Sequence, residues 1–556
     1  MSSTDVRRMA AAPARRLAAP SCLLSLTLAA CGGAGSHGSA APAPPVPPPA
    51  PSAHTDVVTY KNDLARTGQN LTESVLTTGN VNASRFGLQR VLAVDGNVDA
   101  TPLYLSALTV QGAAHDVLFV ATEMDSLYAF DSATGSLLWH VSLLPGGESP
   151  IKQLPDGCQQ VAPTIGITAT PVIDRSAGAH GVIYVVAMSV TASGTYHQRL
   201  HALDVTTGAE VSGGPVDIAA SYPTLAGSTS FDPLQYEERA ALLLLNGTLY
   251  TSWTSHCDAY PYTGWIIGYD SRTLARTAVL NVAPNSGGMG PAIWMSGGGP
   301  AADAAGNIYV LTANGVFETT LDAQGRPNQG DYGNSFLKLS TVSGALAVSD
   351  YFTMYNEVAE SASDLDLGSG AILLLPDLND SGGVVRHLAI GAGKDGNLYV
   401  VNRDALGGFN SGSNHIWQEL PGALAGGIWS TPAYFNGSIY YGPSNGALRA
   451  FAIRSALLAA TPSSSTSMSF TYPGASPAIS ANGAANGIVW AHENGTPAVL
   501  HAYDAADLTR ELYNSSQAPD GRDQFGPGNK FITPVIADGR VFVGGQKVVA
   551  VFGLLN

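Results

Sequence analysis

The sequence repeats itself, and no other feature limits the fold as much. One unit runs Val117-Leu-Phe-Val-Ala-Thr-Glu-Met-Asp-Ser-Leu-Tyr-Ala-Phe-Asp131, then Ala133-Thr-Gly135 and Leu138-Trp139. It reads as a strand, a turn, a strand alternating with period two, a Thr-Gly turn and a further strand. The pattern returns at Ile183-Tyr184 with 200–204, Leu249-Tyr250 with 267–270, Ile308-Tyr309 with 336–339, and again at 398–402. It returns once more at Ile439-Tyr440 with 448–451, Val489-Trp490 with 500–504, and 541–545 with 549–552. Between units lie short openings of small residues and proline: Ala100-Thr-Pro102, Ala169-Thr-Pro171, Gly299-Pro300, Ser430-Thr-Pro432, Ser476-Pro477 and Thr533-Pro534. A unit of this size buries little alone and must pack on its neighbours. The expectation is an all-β, eight-bladed β-propeller of four-stranded antiparallel sheets over residues 57–556, with seven blades as the alternative count. The last unit is short, and strands near 89–103 are expected to complete it and close the ring.

Composition agrees. The 556 residues include 63 Gly and 34 Pro, and only 12% are charged. Strands and tight turns favour that mixture. A prior of about 150 residues per domain would divide the chain, but a closed ring exempts it.

The first 56 residues belong to something else. Arg7, Arg8, Arg15 and Arg16 precede a short apolar run from 17 to 30, too short to span a bilayer. Residues 1–30 therefore read as a signal peptide. The run ends in Leu28-Ala29-Ala30-Cys31, which resembles a bacterial lipobox and implies lipidation of Cys31. Residues 31–56 are rich in Ala and Pro and cannot bury a core, so they read as a tether. The expected location is the bacterial cell envelope, with a lipid as the one membrane anchor and a monomeric propeller held off the surface.

The formal charge is −16. Loss of residues 1–30 removes four Arg and one Asp, leaving 22 basic against 41 acidic side chains, a net −19. Such a surface disfavours nucleic acid as a partner. Cys158 and Cys257 are the cysteines left in the body. An exported compartment permits a disulfide between them; the sequence leaves open whether their α-carbons approach closely enough. No CxxCH haem motif and no zinc-spaced Cys/His cluster occurs.

The repeat Leu127-Tyr-Ala-Phe-Asp131-Ser-Ala-Thr-Gly135-Ser-Leu-Leu-Trp139 resembles that of the pyrroloquinoline quinone (PQQ) dehydrogenases. Outer-membrane assembly lipoproteins without a cofactor share it, so the repeat speaks for fold more than for catalysis. Two longer stretches carry the resemblance toward a site. The first runs from Ile293-Trp294 through Gly297-Gly-Gly-Pro300 to Asn314-Gly315. The resemblance implies that Trp294 stacks on the quinone and Asn314 ligates Ca²⁺, as suits a flat ring and a hard cation. The second is Asp364-Leu-Asp366, then Gly391-Ala-Gly-Lys394-Asp395-Gly396. It implies Asp366 as general base and metal ligand, Asp364 as an alternative base or extra ligand, and Lys394 over the quinone oxygens.

There are departures from the family. Residues 188–195 hold no carboxylate where an acidic metal ligand is expected, no neighbouring-cysteine pair occurs, and there is no haem domain. Each named residue also has a plain structural reading: Asp364 and Asp366 as turn caps, Lys394 and Asn314-Gly315 in hairpin turns, Trp294 as core. His256-Cys257-Asp258 and the pair His197 and His201 are weaker ligand candidates. Three functions follow: a PQQ- and Ca-dependent oxidoreductase acting on an alcohol or sugar; a non-catalytic scaffold binding an envelope protein or polysaccharide; or a propeller enzyme acting on polysaccharide.

Overall fold

A computed structural model describes residues 55–555. The signal peptide, the lipobox with Cys31 and nearly all of the tether lie outside the described residues.

Eight small antiparallel sheets form an eight-bladed propeller. The first blade is Leu103–Val110, Ala113–Ala121, Ser126–Asp131 and Leu137–Ser142, paired in that order. The fifth is Leu373–Leu374, Leu388–Ala392, Leu398–Asn402 and Gln418–Leu420. The eighth joins both ends of the chain: Phe86–Ala93 pairs with Val548–Leu554, followed by Arg540–Gly545 and Val535–Ala537. The ring closes as the repeats imply, but with a different strand boundary. Leu103 opens the first blade, so only Phe86–Ala93 completes the last.

The repeating aromatic residues have a structural cause. Tyr184 and Tyr440 are fully buried, and each hydroxyl donates to a backbone carbonyl of the next blade, on Ser271 at 2.9 Å and Ala505 at 2.7 Å. Trp139, in the fourth strand of its blade, and Trp417, just before the fourth strand of its own, do the same through their indole N–H, to the carbonyls of Val205 and Ala456. Each ring fills the space between two sheets while its polar end is satisfied.

One segment has no counterpart in the repeats. From Val57 the chain circles the inside of the ring. It exchanges backbone hydrogen bonds with Tyr104 of the first blade and Ile173 of the second, then Ala302, Leu374, Tyr434 and Ile479 of the fourth to seventh. Asn70 then donates to the Ile536 carbonyl of the eighth at 3.1 Å. Thr72 meets Thr55 there, so the strap ends where it began. Arg66, fully buried, donates to the carbonyl of Pro300, and Tyr60 reaches Thr431 and Thr533.

Candidate functional site

The linkers between blades converge on one mouth of the ring and are stitched to each other. Thr101 N–H donates to Thr170, Thr168 to the Glu238 carbonyl, Ser296 to that of Ser369, Ser369 to that of Ile428, and Thr431 N–H to Ser476. Seven of the eight linkers carry a distinctive residue before their small-residue opening: Asp99, Thr168, Arg239, Trp294, Asp366, Trp429 and Phe531.

Asp366 sits at the start of the short helical turn Leu367–Ser369 that enters the fifth blade. Its backbone carbonyl accepts the Lys394 N–H at 2.8 Å, from the turn that follows Leu388–Ala392, where Gly393 is obligatory. A Cβ on Gly393 would stand 2.1 Å from the Asp366 carbonyl oxygen. This close approach brings the Lys394 ammonium to 3.2 Å from the Asp366 carboxylate and 2.8 Å from that of Asp364. Asn314 adds a backbone N–H to Asp366 at 3.2 Å and its amide Nδ2 to Asp364 at 3.0 Å. Four residues placed by sequence, from three separate stretches, thus meet in one cluster. Burial raises the Asp366 carboxyl to about 6, against the attraction of Lys394 and with the repulsion of Asp364. Lys394 is held above the usual lysine range because the two carboxylates outweigh its own desolvation. A buried carboxylate titrating near neutrality beside a fixed ammonium is equipped to take a proton from a hydroxyl.

Trp294 lies on the same mouth but not against Lys394. It packs edge-to-face on Phe531 at 6.0 Å; Phe531 meets Tyr472 at 6.4 Å, and Tyr472 meets Trp429 at 5.9 Å. These aromatics form a band across the mouth. Beyond it lies a second charged group that sequence reasoning did not single out. Arg239 stands over the Phe531 ring at 5.3 Å and Lys530 at 5.5 Å. One Arg239 nitrogen donates to the Thr168 carbonyl at 2.9 Å; the other stands 3.9 Å from Asp99 and makes no hydrogen bond among the described residues. Burial, and then the charge of Asp99, push the Glu123 carboxyl far above the usual range. The register of the linker against Thr533-Pro534 is a signal that could have located Phe531; Arg239 precedes Ala240-Ala241, an opening without proline, and has no such signal.

With this geometry in view, comparisons with known proteins define the fold. No protein-family model matches the chain, and no curated protein matches it. Solved structures do. The quinohemoprotein alcohol dehydrogenase from Comamonas testosteroni is 16% identical, with a TM-score of 0.58 over 90% of this chain and 81% of that one. A quinohemoprotein alcohol dehydrogenase from Pseudomonas putida HK5 is 13% identical, with a TM-score of 0.56 over 90% and 80%. A europium-containing methanol dehydrogenase is 14% identical, with a TM-score of 0.55 over 90% and 98%. The fold is that of the quinoprotein alcohol dehydrogenases. At these identities it is the fold that is shared.

The residues fit the two groups implied by a quinoprotein propeller unequally. A planar anionic quinone suits the aromatic band flanked by cations, where a buried Arg239 nitrogen lacks a hydrogen-bond partner. Calcium takes six to eight oxygens. Here the ammonium of Lys394 stands between the two carboxylates, and no group of three His, Cys, Asp or Glu is poised for a metal among the described residues. The donors of Asn314 and Asp366 fall short of a calcium site. The carboxylate beside 188–195 is that of Glu148, which accepts from Ser189 at 2.6 Å and is gripped at both oxygens by Arg199.

The remaining candidates lie elsewhere. Cys158 and Cys257 are bonded, with α-carbons 5.8 Å apart. His256 is buried beside Glu237 at 3.4 Å. His197 and His201 pair with Asp217 and Glu210 along one blade, away from the mouth residues named above.

Proposed function

We propose that the protein is a lipid-anchored oxidoreductase of the bacterial cell envelope, which oxidises an alcohol or sugar hydroxyl with a quinone held at the channel mouth. The observation that carries this reading is the Asp366–Lys394–Asn314 cluster, assembled on the linkers of a quinoprotein propeller. A bound quinone such as PQQ would supply the two-electron acceptor. Trp294 and Phe531 offer it aromatic faces, and Arg239 with Lys530 offers its carboxylates cations. Asp366 accepts the substrate hydroxyl proton; Lys394 holds that carboxylate ionised at neutral pH and fixes its direction.

PQQ titrated into the purified protein, followed by tryptophan quenching with and without Ca²⁺, tests the reading. Saturable binding at micromolar levels, weakened by Trp294→Ala, supports it; no binding in either condition overturns it. A second reading, a non-catalytic envelope scaffold, is favoured by one observation. Phe531, only 9% exposed, already lies against Trp294 where a cofactor would stack.

A further inference from the structure

A cleft away from the mouth residues named above has no role in the oxidoreductase reading. It encloses about 640 Å³ beside the third blade, within the range of ligand sites of about 300–1,000 Å³. Its outer wall is the hairpin Ser221–Thr224 and Gly227–Ser230, which projects from between the second and third blades. The hairpin is pinned at its tip, where the Asn285 side chain accepts the Leu225 N–H at 2.6 Å and donates to the Gln329 carbonyl at 2.6 Å. The opposite wall is a ridge in which Tyr262 N–H donates to the Gly288 carbonyl and Gly290 N–H to that of Tyr262. Both walls are therefore held before any ligand arrives.

The chemistry of the lining is specific. Asp232 is its one charged side chain. Ser228, Thr229, Ser230 and Gln329 all line the cleft, and their hydroxyls and amide have no side-chain hydrogen-bond partner among the described residues; Thr229 projects from the opposite face of the strand to Ser228 and Ser230, so the hairpin offers hydroxyls on both its faces. On the crest of the ridge, Tyr260 is 58% exposed and stacked on Tyr262 at 5.0 Å, and Met289 beside it is 57% exposed. The far side of the same ridge walls a second hollow of about 340 Å³ that ends at Asn314, the residue bonded to Asp364 and Asp366.

We infer that this cleft and the ridge beside it together bind a neutral oligosaccharide, with Tyr260, which stands on the ridge outside the cleft and borders the second hollow, as the stacking platform, and with hairpin hydroxyls and Gln329 in the cleft as hydrogen-bonding partners. Free neutral donors and acceptors suit sugar hydroxyls, an exposed aromatic face suits the apolar face of a pyranose, and the near-absence of charge disfavours uronic acids and amino sugars. The cleft leads over the ridge toward Asn314, so a bound chain would direct one end to the Asp366 cluster. Only that last statement rests on the oxidoreductase reading.

The test is calorimetric titration of the full-length protein, without added quinone, with gluco- and manno-hexasaccharides and an acidic hexauronide as control. Binding of a neutral chain, weakened about tenfold by Tyr260→Ala and several-fold by Gln329→Ala, is expected. Both side chains are at the surface, so the fold should persist, as circular dichroism would verify. No heat with any neutral chain at about 1 mM, preference for the hexauronide, or binding indifferent to both substitutions would each overturn the assignment. Glycan binding that survives Trp294→Ala in a protein inert to PQQ would uphold the cleft while sinking the oxidoreductase reading, so the two failures are distinguishable.

Discussion

Two charged clusters face each other across the aromatic band, built from the same ingredients and ending in opposite proton states. On the fourth and fifth blades, Lys394 touches both carboxylates, and Asp366 titrates at about 6 in spite of its burial. On the first to third blades, Arg239 is spent on the Thr168 carbonyl and stands 3.9 Å from Asp99. There burial wins, and Glu123 keeps its proton at neutral pH. Contact distance between cation and acid, rather than the number of charges, decides which half holds a base and which an acid.

Substitutions can break that contrast. The largest effect is expected from Asp366→Asn, which removes the base and should cost about 10³-fold in dye-linked alcohol oxidation. Activity within tenfold of the native protein would show that the Lys394 half is not the chemical one. Next is Cys158→Ser, which cuts the cross-link tying the loop before the second blade to the third blade, on the Arg239 side. A loss of about 2–4 kcal/mol in urea unfolding is expected, with PQQ affinity as the second reading of whether that half matters to the mouth.

A smaller effect separates the two proton states by pH. The carboxyl of Asp366 is raised in the fold from 3.8 to about 6, so the native state binds its proton more tightly. Its favourable contribution is complete below pH 3.8 and disappears as pH rises through about 6. Asp366→Asn should therefore be more stable than the native protein at pH 7.5, by about 1–2 kcal/mol, and lose that advantage near pH 4. Equal stability differences at both pH values would contradict the burial argument. The smallest effect is expected from Glu123→Gln, which replaces one neutral group by another and should change stability by no more than about 0.5 kcal/mol across pH 5–8. A loss above about 2 kcal/mol would show that Glu123 is ionised, and the contrast between the halves would collapse.

The blades were legible in the sequence because a blade is a local object: strand, turn and aromatic anchor fall within one unit, as in 117–139. Closure was legible as a need, but not in its boundary. The partner of Phe86–Ala93 lies at the far end of the chain, and nothing local says that Leu103 already belongs to the next sheet. Asn314, Asp366 and Lys394 were found through their order along a resembling family, and the structure brings them within hydrogen-bonding reach. What could not be read was distance. The resemblance implied Asn314 and Asp366 as metal ligands, and only the structure shows the ammonium of Lys394 standing between the two carboxylates. Arg239 and Phe531 escaped because neither matches a motif; each matters through the linker it happens to occupy.

The strap from Val57 to Thr72 has a mechanical and temporal consequence. It is made early during synthesis, yet its last partners, around Ile479 and Ile536, emerge hundreds of residues later. It can therefore be seated only once the ring is complete, so it acts as a latch that distinguishes a finished propeller from an unfinished one. Because the proposed tether continues directly from it, tension on a lipid anchor would be delivered to the hub and shared among the blades, rather than peeling one of them away.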